Sequence, residues 1–362
     1  MRGGERVLES LCRLYPEADI FTLFYEPESI SSLIRSHKVQ ASFLNPLRHC
    51  YRGLLPLMPF ALEYFDLRGY DLVISSESGP AKGVITSSST RHVCYCHSPM
   101  RYLWDLYPAY LHEWTQSSLK RSLMTPIANY LRLWDYASAA RVDKFVANSQ
   151  NVRRRIWKAY RRDSELVYPP VDVDNFYTSA AEDYYLIVSE LVSYKRVRDA
   201  VRSFSKAKRK LKIVGDGPEY KSLKRSAGDT VEFCGRVSNY DLRELYAHCR
   251  AVLLPGEEDF GIVPVEAIAS GKAVIALERG GVVESVPADN PKAGFFYSEP
   301  GEEGLTSAVE TFERHESFLS PSAIRRVASR FCERRFLVEM KRVLENTANA
   351  PETDCLSFRD VI

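Results

Sequence analysis

Residues 258 to 271 read EDFGIVPVEAIASG, Glu258 through Gly271, directly after the apolar run Ala251 to Pro255. Pro264 has no N–H to give and fits a helix only within its first turn. A strand is therefore expected to end near Pro255 and a helix to open just before Pro264, with Gly271 as its stop. A helix N-terminus facing the carboxyl end of a strand presents unpaired N–H groups and a positive dipole end, which suits an anion such as a diphosphate. Glu258 and Glu266 flank that place, eight residues apart. Carboxylates repel a diphosphate, so two readings stand. Either they accept hydrogen bonds from hydroxyls carried by the ligand, or they are an N-terminal acid and a solvated helix face.

Outward from this segment, short apolar runs alternate with helical ones. Strands are expected at 18–24, 39–44, 70–75, 92–97 and 144–149, then at 184–189, in LKIVGDG, in VEFCGRV, at 251–255 and in AVIALE. Ser76 reads as the cap of a short helix with Pro80 in its first turn. Such alternation predicts parallel doubly wound sheets, two in tandem. The expected division is 1–177, 178–346 and a polar tail 347–362, with the last helix packing back toward the first domain.

A chain of 362 residues is long enough for two cores, and a net charge of +2 argues against nucleic acid as a partner. The first half leans basic and the second acidic. Eight cysteines without a C-x-x-C pair point to reduced thiols in a cytoplasmic protein. In VCYCH, Cys94 and Cys96 share one face of a strand and His97 takes the other, so the three do not converge on a metal. The run Leu54 to Phe65 is broken by Pro56 and Pro59 and contains Glu63, so it cannot span a bilayer.

The segment at 258–266 resembles the E-x7-E motif of the family 4 (group 1) retaining glycosyltransferases, and the likeness extends over nearly the whole chain. The resemblance implies the GT-B fold: two Rossmann-like domains facing a cleft, the first for the acceptor and the second for a nucleotide-diphosphate sugar, with no metal and no cofactor. It gives Glu258 the donor-sugar hydroxyls and Glu266 the ribose, with Phe260, Gly261 and Ile262 beside the donor. The stretch Ser189 to Val201 resembles the family's phosphate-binding pattern of Arg, four residues, Lys. Lys195 matches the Lys; Glu190 stands where many members have Arg, and Arg196 is the candidate replacement. Gly215 and Gly217 in GDGPE resemble the Gly-rich loop beside the nucleotide, and Gly235, Arg236 and Val237 the loop lining the base. His97 resembles the histidine that meets the donor sugar near the scissile bond, and Gly3 and Gly4 the Gly-Gly loop that approaches the donor phosphates. The catalytic assignments are thus Glu258, His97 and Lys195.

Asp172-Val-Asp174 looks like a D-x-D metal hook but follows Pro169 and Pro170 and reads as a turn. The aromatic and basic stretch from Arg101 to Trp134, with Trp104, Trp114, Trp134, Lys120 and Arg121, reads either as an interface to the inner membrane surface, where a polyprenyl-diphosphate-linked glycan acceptor would sit, or as packed helices. The likeness is closest to O-antigen and exopolysaccharide mannosyltransferases, which makes GDP-mannose the expected donor. Rival readings are a nucleotide-sugar epimerase or hydrolase of the same fold, and an inactive binding subunit. A dinucleotide oxidoreductase is disfavoured, because no G-x-G-x-x-G follows a strand. Finally, only Met1 and Arg2 precede Gly3, where the family pattern has a first strand. The expectation is an N-terminal sheet without that strand, and either an upstream start or a truncated, poorly active copy.

Overall fold

A computed structural model describes residues 3–114 and 118–348 of the chain. Two compact units form, one from the first 168 residues together with the segment from Phe336 onward, the other from Pro169–Arg335. Among the described residues no helix is long and apolar enough to cross a membrane.

The first unit holds strands β1 (Ile20–Thr22), β2 (Val39–Ala41), β3 (Leu72–Glu77), β4 (Arg91–Cys96), β5 (Lys144–Ala147) and β6 (Ser164–Leu166). They pair in parallel as two separate sheets, β1-β2 and β3-β4-β5-β6. Between β1 and β3 the link is made by side chains: the Phe21 ring meets Phe65 and Tyr70 edge-on, and the Tyr70 hydroxyl donates to Asp19. The alternation on β4 sorts its side chains. Val93 and Tyr95 join Val7 and Leu11 of the helix Gly3–Leu14 and Phe336, Met340 and Leu344 of the helix Glu333–Ala348. Cys94 and Cys96 lie on the opposite face with Phe145, Ile156 and Tyr160. Each such apolar side chain stabilises the fold by about 1.5–3 kcal/mol when fully buried.

A buried ionic cluster stands at the end of β3. Lys82, fully buried, pairs with Asp135 and lies 3.5 Å from Glu77 Oε1. Asp135 also accepts from Trp104 Nε1 at 2.7 Å and the Tyr160 hydroxyl at 2.9 Å. Burial, reinforced by the Asp135 charge and opposed by Lys82, pushes the Glu77 carboxyl up to about 7.

One expectation needs correction here. Ser76 does not cap a helix, because β3 continues through Glu77 and only a 3-10 turn, Ala81–Gly83, follows. Its hydroxyl instead bonds the His97 ring. The polar three-residue β6 carries too little apolar pattern to be read from sequence. In the stretch 101–134, the indole N–H groups of Trp104 and Trp134 are consumed inside the unit, by Asp135 and by Glu63 at 2.9 Å, so those two rings serve packing. The side chains of Trp114, Lys120 and Arg121 lie outside the described residues.

The second unit is one six-stranded parallel sheet of β7 (Tyr185–Val188), β8 (Leu211–Val214), β9 (Val231–Gly235), β10 (Ala251–Leu254), β11 (Ala273–Leu277) and β12 (Gly294–Tyr297). The order is β12-β11-β10-β7-β8-β9. Strands β10 and β11 are buried along their whole length, which explains their unbroken apolar sequence: helices cover both faces. The aromatic rings of Tyr185, Phe204, Phe295 and Phe312 interlock in one core cluster. Strand order reverses between β7 and β10. Crevices at such a switch point, at the carboxyl ends of the strands, are where open α/β sheets take ligands.

Candidate active site

The loops after β7 and β10 meet at that switch point. After β7 the chain makes a 3-10 turn, Ser193–Lys195, before the helix Val197–Ala207. After β10, Gly256 lets the two segments touch: a Cβ there would stand 2.6 Å from the Lys195 Cα. The result is an ion pair between Lys195 Nζ and the Glu258 carboxylate, with 15% and 20% of the two side chains exposed. Two residues 63 positions apart, assigned separately to phosphate and sugar, thus occupy one spot. The Glu258 main chain is fixed as well, forming a parallel bridge with Gly280 and accepting from the Gly281 N–H at 2.9 Å.

The helix predicted from Pro264 runs Ile262–Ala269, with Pro264 in its first turn and Gly261 as N-cap at φ 80°. No side chain caps it. Its first N–H groups are therefore left for other acceptors. Glu266 lies within this helix, buried, and its Oε2 accepts from the Tyr246 hydroxyl at 2.9 Å. That bond favours neither a solvated helix face nor a surface role. Phe260 is the exception among the neighbours: its side chain is 2% exposed and its ring packs 5.5 Å from that of Phe331, so only its backbone lies with the loop.

The remaining predicted loops join the same edge of the sheet. Gly215 sits at φ 129°, and a Cβ there would fall 1.9 Å from the Ser189 carbonyl oxygen, which leaves no room for a side chain. Its N–H donates to Gly235 O at 2.8 Å, while Leu191 N–H donates to Asp216 O at 2.9 Å and Glu219 N–H to Leu191 O at 3.0 Å. Gly217 and Gly235 are thereby held beside the Lys195 turn, with Arg236 exposed and Val237 half-buried just beyond. Arg196, the candidate replacement for the arginine missing at Glu190, follows Lys195 at the end of the 3-10 turn. It adopts left-handed backbone at φ 55°, and its guanidinium forks onto Asp199 of its own helix at 2.7–2.8 Å.

In the first unit, His97 follows β4 and Gly4 lies in the first turn of the helix Gly3–Leu14. The position a Cβ would take at Gly4 is 3.5 Å from His97 Nε2. That nitrogen also bonds Ser76 Oγ at 2.9 Å, and the His97 carbonyl accepts from Asn148 Nδ2 at 3.0 Å. Gly4 and His97, 93 residues apart in the chain, thus form one cluster. Asp172 and Asp174 belong to a turn: a 3-10 turn spans Val173–Asn175, and Asn175 donates to the Asp172 carboxylate. Among the described residues no group of three His, Cys, Asp or Glu side chains is placed to hold a metal ion.

Two features lie outside the motifs read from the sequence. Tyr246 is one apolar position among several on the helix Asn239–His248, and nothing in its spacing points to Glu266. Gly280 and Gly281 form a Gly-Gly pair after a strand, which is a visible mark of close approach, but their contact with Glu258 is purely tertiary.

Two Rossmann-like parallel-sheet units, the second with phosphate-suited and hydroxyl-suited groups at its switch point, define the GT-B class. Residues 1–175 match the family model of Glycosyltransferase Family 4, and residues 177–326 that of Glycosyl transferases group 1. The chain belongs to these GT-B glycosyltransferases. It is similar to the N-acetyl-alpha-D-glucosaminyl L-malate synthase of Bacillus anthracis, with 35% identity over 118 residues, 30% of each protein. It is similar as well to the O-antigen chain mannosyltransferase RfbU of Salmonella typhimurium, with 28% identity over 162 residues, 41% of this chain and 46% of that protein. The matched stretches thus span less than half the length of these relatives. The crystal structure of Anabaena HepE in complex with UDP-glucose shares the fold, with a TM-score of 0.70 at 19% identity and 96% of each chain covered.

Proposed function

We propose that the protein is a retaining, metal-independent glycosyltransferase that moves a sugar from a UDP-sugar to a glycan or polyprenyl-diphosphate-linked acceptor in cell-surface polysaccharide synthesis. The observation that carries this reading is the Lys195–Glu258 pair, set between an uncapped helix N-terminus and the loop of Gly215 and Gly217. A diphosphate entering there gains the ammonium of Lys195 and the helix N–H groups. A sugar attached to it meets the Glu258 carboxylate, and its ribose meets Glu266.

Within this proposal the residues divide the work. Lys195 and the helix N-terminus hold the charge that builds on the departing diphosphate, the kind of preorganised stabilisation that dominates transfer chemistry. Glu258 orients the donor sugar and does not attack it. His97, its ring held by Ser76 beside Gly4, is assigned to a hydroxyl of the donor sugar. The departing phosphate assists removal of the proton from the acceptor hydroxyl.

The family resemblance alone pointed to GDP-mannose. The ligands named in the solved structures of this fold are UDP and UDP-glucose, which favours uridine as the base, although the O-antigen relative is a mannosyltransferase. The place proposed for the reaction is the cytoplasm or the inner face of its membrane, consistent with the seven described cysteines being free.

Calorimetry with UDP and GDP tests the assignment. UDP is expected to bind more tightly than GDP and to lose affinity in Lys195→Ala. A protein that binds neither nucleoside diphosphate would overturn the proposal, and tighter binding of GDP would restore the guanosine donor.

A further inference from the structure

The helix Gln150–Tyr160, which follows β5 in the first unit, carries an outer face that its own packing does not use. Val152, Ile156, Ala159 and Tyr160 pack into the core. The exposed positions are Arg153, Arg154, Trp157, Lys158 and, at the C-terminal cap, Arg161. Spacings of three and four residues put these five side by side on one face. Four positive charges therefore surround one indole. None of the five belongs to the stretch 101–134 or to the motifs that resemble the family.

The neighbouring cations are matched within the unit. Arg155 Nε lies 3.2 Å from Asp105, and the Arg162 guanidinium donates to the carbonyls of Ala139 and Val142 at 2.9 and 2.6 Å. Arg153, Arg154, Lys158 and Arg161, in contrast, have no acidic partner among the described residues. Lys158 and Arg161 suit the negative end of the helix dipole. The first turn holds no acid, so Arg153 and Arg154 add to its positive end instead of balancing it. Trp157 is 51% exposed, although an indole is a side chain that folding ordinarily covers. Stability of the fold thus explains neither the charge near the start of the helix nor the bare ring.

We infer that this face docks on an anionic lipid surface. The four cations meet lipid phosphates, and Trp157 settles at headgroup level, its N–H in the polar layer and its hydrocarbon below. A nucleic acid fits less well, because the net charge of the chain is only +2. Ser149 caps the helix, and Asn148 beside it donates to the His97 carbonyl at 3.0 Å. Arg153 follows that cap by about one helical turn, roughly 6 Å. Docking therefore keeps the His97 cluster close to the bilayer surface. The inference goes beyond the transfer reaction and does not depend on it.

Flotation of the full chain with vesicles of phosphatidylcholine mixed with phosphatidylglycerol, beside vesicles of phosphatidylcholine alone, tests the face. Binding to the mixed vesicles is expected, and release as ionic strength rises from about 0.1 to about 1 M, where the screening length falls from about 10 to about 3 Å. Arg154→Gln combined with Lys158→Gln should weaken partitioning roughly 25-fold, about fivefold for each cation near an anionic surface. The blue shift of tryptophan emission on binding should shrink in Trp157→Phe. The substituted side chains are exposed, thermal melting checks that each variant folds, and UDP affinity is expected to stay within twofold. No binding of the wild type to the mixed vesicles, equal binding to the neutral ones, or partitioning that the double variant retains would overturn the inference. Tighter binding to a labelled single-stranded RNA than to the vesicles, lost in the double variant, would overturn it as well and assign the face to nucleic acid.

Discussion

Replacing Glu258 by Gln is expected to tighten UDP binding while slowing sugar transfer. In the free protein the Glu258 carboxylate neutralises Lys195, and a diphosphate must take that ammonium over. Two unit charges about 4 Å apart attract by about 4 kcal/mol at an effective dielectric of about 20. Both side chains keep contact with water, and ion pairs in such positions are worth about 1 kcal/mol net. Removing the carboxylate frees Lys195 and should raise UDP affinity roughly fivefold. The donor sugar, in contrast, loses the charge and one of the two acceptor oxygens that face its hydroxyls, and kcat/KM should fall about 100-fold, about 2.7 kcal/mol. Calorimetry with UDP and steady-state assays of the same variant read the two effects separately. UDP affinity that is unchanged or weaker in Glu258→Gln would show that the pair does not compete with phosphate, and near-normal turnover would remove Glu258 from the sugar site.

Other perturbations follow from the same contacts. Gly256→Ala would drive a methyl group into the Lys195 backbone, and it should lower stability by about 1–3 kcal/mol and weaken UDP binding, read by melting and calorimetry. Tyr246→Phe leaves the buried Glu266 without one donor; a loss of about 1–3 kcal/mol in denaturant titration is expected, and no change would place that bond outside the stability of the fold. Glu77 ionises near 7 when folded and near 4.5 when unfolded, so the folded state holds the extra proton between those values and stability declines as pH rises through that window. The decline should amount to about 3 kcal/mol and vanish in Glu77→Gln, as followed by melting from acid to neutral pH. If Asp172 and Asp174 only shape a turn, transfer activity survives EDTA, and restoration of lost activity by Mn²⁺ would refute this.

The order of elements was legible in the sequence because the switch between two-residue and helical periodicity is local. Pro264 marked the first turn of its helix from a single chemical fact, the missing N–H. What stayed hidden depends on contacts between distant segments. Lys82 reads as a surface lysine until Asp135, 53 positions on, is folded against it. The pairing of Arg196 with Asp199 rests on a left-handed turn that no sequence pattern marks. β12 was missed because Gly294 opens a run of only four residues, whose place is set by pairing with β11.

The bond from the Gly281 amide to the Glu258 carbonyl couples the loop after β10 to the loop after β11. A loop that swings away alone breaks this bond, so opening of one is expected to carry the other with it. The Gly281 amide is therefore a built-in clock for the site. Its exchange with deuterium reports how often the Glu258 loop lifts, and a bound donor that clamps the loop slows that exchange without touching Gly281 itself.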